Sequence, residues 1–149
     1  MVKENDATLL VMALDALFNL TPHPINFFAP EGQKLLYVLP THGTLRLVSG
    51  EQPKVKNLWA GMTMEACVPV IMGQRFIGLD TSGPGYKIWQ ENPTAGFIVS
   101  LPMAQWLSTQ HVLCGAREIY CPATDTKNRV SDDRGQLIGC RALELHTPR

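Results

Sequence analysis

Hydrophobic positions change their rhythm once along this chain. Leu9, Leu10, Ala13, Leu14, Leu17 and Phe18 recur at helical spacing, with Asp6 placed to cap the first turn and Pro22 lying beyond the end. This pattern predicts an amphipathic helix that ends near Asn19. After Pro22, short runs rich in β-branched and aromatic residues follow one another at 25–29, 34–39, 44–48, 66–72 and 75–79, each bounded by Pro or Gly. They read as strands joined by tight turns. A further apolar run at 95–101 precedes Pro102, which suits the first turn of a short helix carrying Met103, Trp106 and Leu107. Residues 117–120 and 136–145 read as closing strands, and the alternation of Ala142, Glu144 and His146 leaves the facing of the last one ambiguous. Residues 80–93, rich in Gly, Pro and polar side chains, predict a long loop, the kind of segment that often serves as a lid or binding loop. Extended patterns outnumber helical ones, and regular strand-helix alternation is missing. The expected fold is therefore mainly β (α+β), with a helical appendage over 1–19 and a single β-rich domain over 20–149.

Composition narrows the function classes. With 45% hydrophobic and 17% charged residues in 149, the chain can bury one core and lacks the signature of disorder. Lys plus Arg equals Asp plus Glu at 13 each, so broad electrostatic capture of DNA, RNA or an anionic membrane is not expected. The apolar run near the start is bracketed by Glu4, Asp6 and Asp15, unlike a secretory leader, and no run approaches the roughly 18 apolar residues of a membrane-spanning helix. Cys67, Cys114, Cys121 and Cys140 form no close pair and read as reduced thiols of a cytoplasmic protein. Neither Cys-x-x-Cys nor His-x-x-x-His occurs. The nearest approach to a metal set is His111 with Cys114 and Cys121, for which buried thiols acting as small hydrophobes are the simpler account, so no metal or cofactor is expected.

Three segments carry residue types suited to chemistry. An apolar strand, Phe76-Ile77-Gly78-Leu79, runs into Asp80-Thr81-Ser82-Gly83, and Leu137-Ile138-Gly139 echoes it later, the layout of a dimeric aspartic protease centred on Asp80. Ser82 interrupts the tight Asp-Thr-Gly turn which that chemistry needs, and a polar loop after a strand explains the residues equally. Ser82-Gly83-Pro84-Gly85 can present amides to a phosphate, although the Gly-Lys-Ser ending of a P-loop is missing. Finally, the polar run 124–135 places Arg129 and Arg134 across a hairpin, two always-charged forks able to grip a pyrophosphate, with Asn128 beside them in the same candidate site. Phe97, Met103 and Trp106 are the candidate apolar partners for a nucleobase. A solvated turn and a buried aromatic pair are the alternatives for the two groups.

Three stretches, in this order, match a pattern among small phage and bacterial proteins. They are Leu20-Thr21-Pro22-His23-Pro24-Ile25-Asn26, Gly96-Phe97-Ile98-Val99-Ser100, and Arg129 onward through Asp132-Asp133-Arg134-Gly135-Gln136-Leu137-Ile138-Gly139-Cys140-Arg141-Ala142-Leu143. The pattern resembles a Leu-Thr-Pro-His start, a Tyr-Ile-Val-Ser strand and an Arg-Asp-x-x-Gly-x-Ile-Ile-Gly-Cys close. This type is similar to the Thoeris anti-defence sponge proteins, with which phages sequester the cyclic ADP-ribose isomer made by TIR-domain immune enzymes. The resemblance implies a nucleotide-binding protein without catalysis, acting in the cytoplasm of an infected bacterium. It also implies a β-rich homodimer or higher homo-oligomer, with pockets near subunit contacts and arginines of the closing segment on the phosphates. The chain departs from the pattern in its added N-terminal helix, in a longer stretch from Trp59 to Pro93, and in Ser131, which separates the Arg from the Asp. A phage structural or interaction module is the remaining alternative to sponge and protease.

Overall fold

The computed structural model describes residues 4–59, 67–73 and 75–148. It is β-rich with a few helices, an α+β fold as the patterning predicts. Two compact units divide the chain: residues 4–46 with Asp80–Arg149 as far as 148, and Leu47–Leu79.

In the first unit, helix α1 spans Glu4–Asp15. It stops sooner than expected because Leu17–Asn19 leave the helix to become strand β1. Strands β2 (Ile25–Phe28) and β3 (Leu35–Leu39) form an antiparallel pair. Leu47–Ser49 (β4) and Lys54–Trp59 (β5) lead out through the second unit, and Cys67–Ile71 (β6) and Phe76–Leu79 (β7) lead back, pairing β5 with β6 and β4 with β7 as a nested ribbon. The expected loop at 80–93 contains helix α2, Pro84–Glu91. Pro84 stands in its first turn, where a missing N–H costs nothing, so a residue read as a breaker is a helix start. Next come β8 (Gly96–Ile98), α3 (Leu101–Leu107, with Pro102 in its first turn as predicted), α4 (His111–Cys114) and β9 (Glu118–Pro122). A further strand, β10 (Arg129–Ser131), lies inside the polar run, and the closing strand expected over 136–145 is two, β11 (Leu137–Cys140) and β12 (Leu143–Leu145), which part at Arg141.

Two four-stranded sheets result, ordered β1-β8-β9-β12 and β10-β11-β2-β3. The first has three parallel strands, with β12 antiparallel at its edge; β8 and β9 are joined through α3 and α4, a helical crossover that parallel strands require. Between the sheets lies a core of Leu14, Ile25, Phe27, Leu39, Ile98 and Cys140. Since Leu14 of α1 is part of it, and β1 supplies an outer strand, residues 4–19 belong to the first unit's own packing. On the other face of the first sheet, Phe97 stacks between Phe18 (5.6 Å) and Trp89 of α2 (4.9 Å), and the Arg117 guanidinium lies 4.5 Å from the Trp89 ring centre. Burial pulls the Arg117 pKa down, and its Nη atoms donate to the carbonyls of Trp89 and Leu113, which tie α2 and α4 to β9.

Asn19, at the end of β1, is fully buried and joins three chain segments. Its Nδ2 donates to the carbonyls of His23 (3.0 Å) and Leu39 (3.2 Å), and its Oδ1 accepts from the Thr21 amide (3.0 Å) and hydroxyl (2.6 Å). Its backbone N–H donates to His42 Nδ1 at 2.9 Å, while its carbonyl accepts from the His42 amide. Asn19→Ala leaves several of these groups without partners and is expected to cost on the order of 3 kcal/mol, read as a lower urea midpoint at unchanged slope. Asn19→Asp turns a carboxylate toward two carbonyls and is expected to be worse. A loss in both variants no greater than that of an ordinary surface substitution, about 0.5 kcal/mol, refutes this role.

Candidate functional site

A cleft of about 380 Å³ opens in the first unit where four segments meet: 21–26, the start of α3 at Ser100 and Leu101, Pro122 with Thr124, and 137–140. Asn19 sets the first wall, because its hydrogen bonds fold Thr21-Pro22-His23 back on β1. The second wall comes from β2 and β11, which lie parallel with Cys140 opposite Phe27, and Asn26 Nδ2 donates to the Ile138 carbonyl at 2.8 Å. Glycine is needed at 139: a Cβ there would stand 2.5 Å from the Asn26 carbonyl oxygen and against the Phe28 ring. The lining is mostly apolar, with Thr21, Asn26, Ser100 and Thr124 supplying polar groups, the usual make-up of a small-molecule pocket of this size.

The polar run 124–135 starts at this cleft with Thr124, and the strand that follows it returns there at Leu137. Asp125 organises the first turn, accepting from the Asn128 amide nitrogen Nδ2 at 2.9 Å, while Asp132 organises the second by accepting from the backbone of Arg134 and Gln136. Gly135 sits there at φ +78°, a left-handed position that favours glycine. Arg129 and Arg134 are both exposed on this hairpin, and Arg129 Nη2 donates to Ser131 Oγ at 3.3 Å. Neither arginine lines the cleft itself. Arg141 is committed elsewhere, holding the carbonyls of Arg129 and Gly32 and so fixing the hairpin against the β2–β3 turn.

Other candidates separate by burial. Phe97 (0% exposed) and Met103 (2%) are sealed in the core, so within this chain neither offers a face to a nucleobase; Trp106 is only half-buried. Asp80 lies at a second, more polar hollow of about 300 Å³ with Thr44, Arg46 and Ser82. Its carboxylate accepts from the Ser82 hydroxyl (2.6 Å) and amide (2.9 Å), which hold it below the usual carboxylate range. The dimeric protease reading needs a second such carboxyl, from another chain, brought beside this one. Gly85 is buried, and a Cβ there would strike the Thr44 carbonyl and the Leu45 amide nitrogen, so the packing of α2 against residues 44 and 45 requires glycine at this position. His111 is exposed, and the Cys114 thiol is buried, donates to the Leu107 carbonyl and has its pKa raised by desolvation.

Sequence reasoning named the arginine hairpin but missed the cleft beside it. The signal was present in the Thr-Pro-His and Ile-Gly-Cys stretches, whose convergence only pairing of β2 with β11 produces. Gly139→Ala is expected to lower stability by about 1–3 kcal/mol, because the Asn26 backbone it meets belongs to a paired strand. Thermal denaturation checks this, and a wild-type midpoint would show that the two strands separate freely.

Compared with known proteins, the chain matches no family model, no curated protein and no solved structure at a significant level.

Proposed function

We propose that this protein captures a small anionic ligand without transforming it, as an anti-defence sponge that sequesters a cyclic ADP-ribose-type signal. One observation carries the reading. The three stretches of the family-like pattern, far apart in sequence, supply three walls of a single cleft, and the arginine-bearing run leaves that cleft at Thr124 and rejoins it at Leu137. The apolar lining suits a base and ribose, whose hydroxyls can pair with Asn26, Ser100 and Thr124. Arg129, Arg134 and Asn128, carried on the run that leaves and rejoins the cleft, are the groups proposed for the phosphates, since a pyrophosphate can accept several charge-assisted hydrogen bonds. Phe97 and Met103 act indirectly by supporting the sheet. The proposed working form is a homodimer or higher oligomer, with a neighbouring protomer closing the rim. Action in the cytoplasm is part of the same proposal; among the described residues no helix is long and apolar enough to cross a membrane.

Incubation with the cyclic ADP-ribose isomer made by a TIR enzyme, followed by heat denaturation and mass spectrometry, is expected to return intact nucleotide. Degraded nucleotide would identify an enzyme, and nucleotide left unbound would favour an interaction module. Arg129→Ala and Arg134→Ala are each expected to weaken binding roughly ten- to a hundredfold, and Lys to rescue only in part. Thr124→Trp, a change at an exposed position, is expected to block the cleft while the fold persists. Calorimetry on these variants decides the site; unchanged affinity in all three removes it. Asp80→Asn is expected to leave binding intact, whereas loss of a demonstrated peptide-cleaving activity in that variant would establish the protease reading instead.

A further inference from the structure

On the opposite side of β9 from the core between the sheets, three side chains of different chemistry converge at the edge of the first sheet. Cys121 of β9 stands directly opposite Glu144 of β12 in the antiparallel register. His146 lies two residues beyond Glu144, so strand alternation returns it to the same face, and its amide continues the ladder by donating to the Ile119 carbonyl. One ligand atom from each of Cys121, Glu144 and His146 comes within 4.8 Å of both others. His146 Nε2 is 3.2 Å from Glu144 Oε2.

The geometry points to a transition-metal site, with Zn²⁺ the best-suited ion, held by Cys121 Sγ, a Glu144 carboxylate oxygen and a ring nitrogen of His146. Bond lengths of about 2.0–2.3 Å place tetrahedral ligand atoms roughly 3.3–3.8 Å apart, so small rotamer changes suffice to close the set. Charge also matches, since one thiolate, one carboxylate and a neutral imidazole balance a divalent cation. Thiolate and imidazole select zinc over magnesium or calcium, which prefer oxygen. The Cys121 thiol is buried at the inner end of the site, while Glu144 is exposed and His146 half-buried, which leaves an entry path and a fourth position for water. Burial, then the charges of Glu144 and Cys140, push that thiol up to about 11. A cation beside the sulfur offsets all three, and the thiol proton leaves to solvent as the metal binds.

Protein treated with chelator and then titrated with Co²⁺ is expected to take up one ion per chain, with intense visible bands of a tetrahedral site and a sulfur-to-cobalt charge-transfer band in the near ultraviolet. Zn²⁺ is expected to displace it. Cys121→Ser is expected to remove the charge-transfer band. His146→Ala and Glu144→Gln, at more accessible positions, should each weaken Zn²⁺ binding at least tenfold in competition with a chromophoric chelator, and Cys67→Ser should change nothing. If Cys121→Ser does not fold, the other two variants decide. Absence of Co²⁺ binding at micromolar protein, or wild-type affinity in His146→Ala and Glu144→Gln, overturns the site. Nucleotide binding is read separately, so neither result depends on the other.

Discussion

The first wall of the cleft, and the path of the chain from one sheet to the other, depend on one buried amide. Asn19 sits where a polar group without partners would cost more than most single contacts return, and its side-chain donors and acceptor are matched to Thr21 and His23 on one stretch and to the Leu39 carbonyl on another. By holding Thr21, His23, Leu39 and His42 at once, it turns the chain out of the first sheet and delivers β2 to the second. Ile25 and Phe27 then enter the core between the sheets, and Asn26, pointing the other way, reaches the Ile138 carbonyl. A hydrophobic residue at 19 would bury as well but could not direct the chain, since apolar contact has no orientation.

The second constraint is the close approach of β11 to β2. The pair is parallel, so the chain must travel far between them, and it does so through the second unit, the helices and the arginine hairpin. Gly139 permits the approach because the space for a side chain is filled by the Asn26 carbonyl and the Phe28 ring. Asp132 and Gly135 turn the hairpin tightly, and Arg141 pins its base. The hairpin therefore stands on a stiff mount beside the cleft while its two proposed phosphate-binding arginines stay in solvent. Rigid presentation lowers the entropy lost when such long side chains engage a ligand.

An edge strand organises the other chemically distinctive place. Because β12 runs antiparallel to β9, it lines up Glu144 with Cys121, and alternation brings His146 to the same side. The same strand turns Leu143 toward the core between the sheets. A short strand thus separates two environments on its two faces, with Leu143 toward the core on one and Glu144 and His146 beside Cys121 on the other.

Periodicity sufficed for what is local. The first helix, most strands, the short helix after Ser100 and the hairpin around Asp132 to Gly135 follow from side-chain patterning and turn chemistry, which act over a few residues. The resemblance drew attention to Thr21, Ile138 and Gly139, yet nothing in the sequence said that they face one another, because their meeting rests on a parallel pairing more than a hundred residues apart. Residues 136–145 looked like one strand, as their pattern is continuous; only the bonds of Arg141 and the competing partners β2 and β9 split it between two sheets. Phe97 and Met103 looked able to stack on a base, since sequence shows an apolar side chain but not what covers it, and packing buried both. Likewise the alternation of Glu144 and His146 was visible while Cys121 was not tied to it, for cross-strand register is set by the whole sheet and not by either strand alone.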